Sequence, residues 1–367
     1  MAIAAAGAGE ATTDFDGGQS SHPGTVAGQR TCIVVLGMHR SGTSALTRVL
    51  SILGAALPRH LMSPGPDNET GHWESQKLVD FHDEVLSELD SAWHDWAALD
   101  VSKLTVQRRE QIKTRMAEII NDEYGSASLM VVKDPRICRF APLFLEALTD
   151  AGIIPECVLV FRNPLEVAQS LACRDGMPPA EASLLWLRHV LDAEAATRGN
   201  RGAVLFYSDL LKDWRGELRH VRLGAGFKRG CVWPNSPPDA VEQIDGFLNS
   251  ALRHHALSEA DIISDPVTSG WIADIHDALR QLRRNPAPSE ALATFDRVRC
   301  EFDRATPVID RMQRDMRARL EAQLNAVTQQ VDDLRRQLSS VSHNRWQRRM
   351  ARLRRACTAL FKQNAIP

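Results

Sequence analysis

The chain has 367 residues, 44% of them hydrophobic and 25% charged, with 44 Lys and Arg against 46 Asp and Glu. This composition is that of an ordinary globular chain and excludes collagen-like, wholly disordered and membrane-spanning readings, and the length fits one large domain or two modest ones. A formal net charge of -2 gives no support to general nucleic-acid binding.

Residues 1–29 are rich in Ala, Gly, Ser and Thr with little that could pack, and read as a disordered leader. "TCIVVLG" then gives a short β-branched strand ending at a glycine. "SALTRVLSILG" follows with Leu46, Val49, Leu50 and Leu53 at helical spacing. "SLMVVKD" reads as a second buried strand, with a helix over about 138–150. "ECVLVFRNP" is a third, with Pro164 where the first turn of a helix accepts proline. "GAVLFYSDLL" is a fourth strand running into a helix. Apolar strands alternating with helices predict an α/β fold, a P-loop-like parallel sheet covered by helices on both faces. The segment between the first two strands, with Trp73, Trp93 and Trp96, is expected to be mostly helical. The α/β domain is placed at 30–255.

Beyond it no strand pattern recurs, and 256–342 reads as a helical extension. Val308, Ile309, Met312, Met316, Leu320, Leu324, Val327, Val331, Leu334 and Leu338 follow steps of three, four and seven, a coiled-coil-like seam. It fits a packed hairpin or a homo-oligomer interface. From His343 to Pro367 there are seven basic residues and no acid, which leaves 37 basic and 46 acidic residues, net -9, in the rest. This basic amphipathic tail suits a solvated helix, an anionic membrane surface or a partner. Seven widely spaced cysteines without a C-x-x-C argue against a disulfide framework or a zinc site and predict reduced, buried thiols. The N-terminus has neither a basic nor an apolar region of signal-peptide type, so a cytoplasmic protein is expected.

The chemistry-bearing segment is "VVLGMHRSGTSALTRVL". Gly37 and Gly42 stand four residues apart, followed by Thr43 and Ser44, between a strand and a helix. This is the frame of a phosphate loop: glycines let successive N–H groups converge on one anion, and the helix start adds its own unpaired donors. Thr43 occupies the position where a nucleotide triphosphatase carries lysine, and the loop's basic residue is Arg40 instead. In "LVFRNPLEVAQSL", Arg162 ends a strand and Ser170 follows eight residues later. An arginine there faces the ligand crevice of a parallel sheet and is a natural partner for a second phosphate. The alternative for Arg162 is a surface pair with Glu166.

"RSGTS" followed about 120 residues later by "FRNPLEVAQS" resembles the sulfotransferase family, over roughly residues 30–255 and closest to its bacterial members. The resemblance implies use of 3′-phosphoadenosine 5′-phosphosulfate as donor co-substrate, with no metal. Arg40 falls on the family's catalytic basic residue, which is arginine in protein-tyrosine sulfotransferases and lysine in cytosolic members. Ser41, Gly42, Thr43 and Ser44 fall on the loop's phosphate contacts, Arg162 and Ser170 on the 3′-phosphate pair, and Tyr207 on the adenine contact. Lys133, in "VVKDP", resembles a lysine that stabilises the transferring group. Family members use histidine or glutamate as the base, and "PDNETGHWESQKL" offers Glu74 and His72, with Glu69 just before. Glu74 beside Trp73 suits a desolvated base, or equally the cap of a helix starting near Ser75. Asp134 and Arg136 either orient Lys133 or form an ordinary ion pair. The family's late "RKG" stretch has only "FKRG", with Lys228 and Arg229, as a distant counterpart.

The implied activity is sulfuryl transfer to a hydroxyl of a carbohydrate, glycolipid or small metabolite, with no nucleic-acid partner. Two other classes compete: a P-loop nucleotide or nucleoside kinase, disfavoured by Thr43, and a non-catalytic scaffold working through the C-terminal helices.

Overall fold

The computed structural model describes residues 30–65, 71–198, 201–219, 221, 236–248, 257, 261–262, 270–285 and 288–363, with the side chains of all of these except 201, 340–345 and 357–363. The leader, Glu69, Lys228, Arg229, Cys231, His254 and His255 lie outside the described residues, as does the side chain of Cys357.

The chain divides into two compact units, Met1–Val298 and Arg299–Pro367. The first is built on four parallel strands, β1 (Arg30–Leu36), β2 (Leu129–Lys133), β3 (Ile153–Phe161) and β4 (Arg201–Phe206), in the order β2-β1-β3-β4. Their runs of Val, Ile, Leu and Cys are buried on both faces, which is why they read as continuous rather than alternating apolar segments. On one face Ile33, Val35, Val131, Val158, Val160 and Leu205 join a core with α1 (Thr43–Ile52), α7 (Tyr207–Lys212), α8 (Trp214–Leu218) and α9 (Ala240–Phe247). The other face is covered by a 3-10 turn (Pro135–Phe140), α4 (Ala141–Asp150) and α6 (Pro179–Thr197); α6 packs in turn on α5 (Pro164–Asp175). The predicted P-loop-like α/β class is the observed one.

The chain leaves β1 for β2 on one side and later returns to β3 on the other. The crevice at the carboxyl ends of β1 and β3 is therefore the topological switch point, where open parallel sheets bind ligands.

Three local expectations need correcting. The helix expected from 138 starts at Ala141, because Pro135 and the Asp134 side chain, which accepts from the Arg136 N–H, open a 3-10 turn first. The segment between β1 and β2 holds α2 (Gln76–Glu88) and α3 (Val106–Tyr124), but Trp73, Trp93 and Trp96 all lie in the loops around them. Cys32, Cys138 and Cys157 are reduced and buried, whereas Cys173 and Cys300 fall on the solvent sides of their helices.

After α10 (Gly270–Arg284), α11 (Ser289–Gln363) is one helix of 75 residues. It is continuous, so among the described residues the seam does not fold back on itself as a hairpin. Across Arg299–Pro367 the seam is exposed, including Met312, Leu324, Leu334 and Leu338. Trp186, Leu187 and Leu191 are core, as expected. Among the described residues, no helix is long and apolar enough to cross a membrane.

Candidate functional site

The loop after β1 is built by two glycines for different steric reasons. A Cβ on Gly37 would overlap the Val160 carbonyl oxygen on β3, and one on Gly42 would overlap the Tyr207 ring. Gly42 also has φ 89°, a left-handed geometry that only glycine adopts cheaply, and Arg40 shares that region at φ 67°. The loop thus lies flat against β3 on one side and Tyr207 on the other. Helix α1 begins at Thr43 without any side-chain cap, so the N–H groups of its first turn and the positive end of its dipole are directed at whatever enters the loop.

Arg162 leaves β3 directly beside this loop. Its Nη1 donates to the Arg40 carbonyl at 3.2 Å and its Nε donates to Glu166 Oε2 at 2.7 Å. The guanidinium carbon stands 5.3 Å from the Tyr207 ring centroid. Its Nη2 is buried with no hydrogen-bond partner among the described residues. The expected surface Arg–Glu pair is therefore a buried one, with Arg162 8% and Glu166 1% exposed. Glu166 Oε1 in turn accepts from the Leu257 N–H at 2.9 Å. Asn163 caps α5, accepting from the Leu165 N–H at 2.9 Å, which fixes the turn that presents Arg162. Ser170 lies one face down the same helix and accepts from Arg40 Nε at 2.7 Å. Arg40, Arg162, Ser170, Gly42 and Tyr207 are thus drawn into one constellation.

A second cluster forms on the β2 side. Lys133, the last residue of that strand, donates from Nζ to Ser44 Oγ at 2.9 Å, to the His72 carbonyl at 3.1 Å and to Glu74 Oε1. Ser44 Oγ also donates to the His72 carbonyl at 3.2 Å. Glu74 is 3% exposed, and Arg136 Nη1 stands 3.9 Å from its second oxygen. Burial raises the Glu74 pKa, and the nearby charges of Lys133 and Arg136 counter only part of that rise. Glu74 does not cap α2, because Ser75 does, its Oγ accepting from the Leu78 N–H at 3.3 Å. His72 enters this network through its backbone carbonyl. Trp73, at φ 59°, stacks under the Arg48 guanidinium at 4.7 Å.

Asp134 does not touch Lys133. It accepts from His82 Nδ1 at 2.7 Å and pairs with Arg136 at 3.1 Å. Burial alone would raise its pKa, but the Arg136 charge and the His82 hydrogen bond outweigh it and hold the carboxyl well below the usual range. It fixes the base of the 3-10 turn and, through Arg136, one edge of Glu74.

The sequence does not single out the wall that faces Arg162 from α10. A small cleft is lined by Arg162, Phe206, Ser208, His276 and Arg280, among others. Arg280 lies over the Phe206 ring at 4.5 Å, and Phe206 also meets the His276 ring edge at 6.0 Å. His276 and Arg280 are one turn apart on an amphipathic helix, a spacing that in sequence looks like any surface helix. His39, inside the loop, is half-buried, its ring tilted against that of Trp93 at 4.8 Å. Desolvation first, then the charges of Arg136 and Arg174, hold its pKa well below the ordinary histidine value. Among the described residues no group of three or more His, Cys, Asp or Glu side chains is placed to hold a metal ion.

No protein-family model matches the chain, and no curated protein sequence does. Among solved structures, the sulfotransferase domain from the Synechococcus PCC 7002 olefin synthase is similar, at 19% identity and a TM-score of 0.36, over 62% of this chain and 90% of that one.

Proposed function

We propose that this protein is a sulfotransferase, moving a sulfuryl group from 3′-phosphoadenosine 5′-phosphosulfate to a hydroxyl of a carbohydrate, glycolipid or small-metabolite acceptor. One observation carries the reading. The guanidinium of Arg162, with a buried donor unpartnered among the described residues, lies against the glycine loop itself, so anion sites at the two ends of one nucleotide adjoin in a single crevice.

The residues fit that donor. The loop, the open first turn of α1 and Arg40 would hold the 5′-phosphosulfate. Arg162 Nη2 and Ser170 would hold the 3′-phosphate, and Tyr207 would line the adenine side. Glu166 neutralises one charge there while locking the Arg162 plane, and Arg280 lines the other side of the cleft.

When bound, the donor supplies the sulfuryl group and a phosphate leaving group whose bridging oxygen takes the electron pair of the broken S–O bond. Glu74 acts as the base and takes the proton of the acceptor hydroxyl as its oxygen bonds to sulfur. A carboxylate whose pKa is lifted by burial is a stronger base than an ordinary glutamate. Lys133, hydrogen-bonded to Glu74 and to the loop's Ser44, and Arg40 place fixed positive charge where the leaving oxygen becomes negative. Arg40 stays ionised throughout and acts by charge alone.

Thermal unfolding of the full chain with adenosine 3′,5′-bisphosphate, and separately with ATP and magnesium, tests the reading. Selective stabilisation by the bisphosphate without metal is the expected result. Preference for ATP with magnesium would replace the reading with a kinase, and no response to either would replace it with a scaffold.

A further inference from the structure

From Leu320 to Leu338 the long helix α11 carries a regular heptad whose apolar residues are exposed among the described residues. Leu324, Val331 and Leu338 occupy the a positions, and Leu320, Val327 and Leu334 the d positions. All six are between 41% and 74% exposed. Upstream, Val308, Met312, Met316 and Leu320 follow one another at steps of four, a local slip of the repeat, so the regular seam starts at Leu320. A stripe of this length on a solvated helix is an interaction surface.

We propose that this stripe is an antiparallel coiled-coil interface with a second copy of the same chain. Charge decides the direction. In a parallel pair Arg317, at the preceding a position, would face its own copy in the core, and the e and g residues would bring Gln330 beside the partner's Arg335 and Gln323 beside the partner's Thr328, with no opposite charges meeting. A parallel pair would also lay two basic tails side by side, each with seven cations and no acid.

The antiparallel pair removes both conflicts. Leu320 packs on the partner's Leu338, Leu324 on the partner's Leu334, and Val327 on the partner's Val331; the two-fold axis repeats each layer, for six in all. In that register the e position Glu321 lies beside the partner's Arg335, twice by symmetry, and Gln330 faces the partner's Gln330 across the axis. Arg335 is 78% exposed, and its link to Asp332 is a 3.6 Å contact at the helix surface that leaves it able to reach across. The tails then lie at opposite ends of the bundle.

Light scattering on the full chain at micromolar concentration should return twice the chain mass. Changing both Leu324→Asp and Val331→Asp should give a folded monomer, since both side chains are exposed in the single chain, and the concentration dependence of unfolding that a dimer shows should disappear with it. Glu321→Arg alone and Arg335→Glu alone should each weaken the dimer roughly tenfold at low salt, and the two together should restore it. A parallel pair would ignore these reversals. A monomeric wild type, including one that adsorbs to anionic vesicles through this helix, a larger oligomer, a dimer that survives the paired aspartates, or a dimer insensitive to charge reversal would overturn the proposal.

Discussion

Lys133 and Arg162 stand at the carboxyl ends of the two strands that flank β1, and each is a buried cation holding a buried carboxylate. They differ in what is left over. The three ammonium donors of Lys133 meet Ser44, His72 and Glu74, so its charge is fixed in place before any ligand arrives. Arg162 meets Glu166 and the Arg40 carbonyl and keeps Nη2 buried and unpartnered among the described residues. Leaving a buried donor unmade costs about 1–3 kcal/mol, so such an atom persists where an incoming anion recovers that cost. On the proposed function, one end of the crevice would be a preset electrostatic element for the chemical step, and the other a socket for binding.

The sharpest way to break that contrast is Glu74→Gln. On the chemical side the change should lower turnover by about 10²–10⁴-fold. Bisphosphate affinity, which belongs to the other end, should stay within a few-fold. The wild-type pH–rate profile should rise through a value above the ordinary glutamate pKa, because burial raises that of Glu74, and this limb should vanish in the variant. Equal losses of turnover and bisphosphate affinity would merge the two ends into one.

Asp134→Asn tests whether the chemical side is held from below. The change removes one of the carboxylates that pair with buried Arg136, leaving Asp83, and replaces the ionised acceptor of His82 by a neutral amide, which should cost about 1–3 kcal/mol of stability by denaturant unfolding. The sign with pH follows from the depressed carboxyl: its contribution is present above the unfolded pKa of about 3.9 and fades only as pH falls through the much lower folded value. The gap between wild type and variant should therefore be constant near neutrality and narrow only in strong acid. Arg162→Ala is the complementary experiment on the socket. It should weaken bisphosphate binding by roughly 30–100-fold, the worth of a charge-assisted hydrogen bond, while Lys133→Ala should leave that affinity nearly intact and depress turnover. Calorimetry on both variants reads the contrast directly.

The two ends were unequally legible in the sequence. The glycine loop, the strand before it and the Arg162–Ser170 spacing are local patterns, set by a strand, a turn and two helical turns, and local patterns survive in one dimension. Lys133 was visible as the end of an apolar run, but its union with Glu74 spans 59 residues of chain and depends on the left-handed turn at Trp73. Whether Glu74 capped a helix or entered the site could not be read from spacing, since Ser75 beside it competes for the cap. The His82–Asp134 pair joins a helix to a strand end 52 residues on, and no periodicity signals it. The heptad of α11 was readable, whereas the absence of a hairpin was not, because it depends on the helix running unbroken past Pro307.

Arg280 provides the smallest and most discriminating effect. It reaches the cleft from α10, and its guanidinium rests on the Phe206 ring at 4.5 Å in a cation–π contact. Its charge is partly exposed and screened, and the loss on Arg280→Ala should be about three- to tenfold in bisphosphate affinity. The decisive quantity is a ratio. If Arg280 balances Glu166 at the 3′ end, the variant should lose affinity for adenosine 3′,5′-bisphosphate but not for adenosine 5′-phosphate, and added salt should shrink the difference. Equal weakening of both nucleotides would move Arg280 to the adenine or the loop side, leaving Arg162 alone to form the socket.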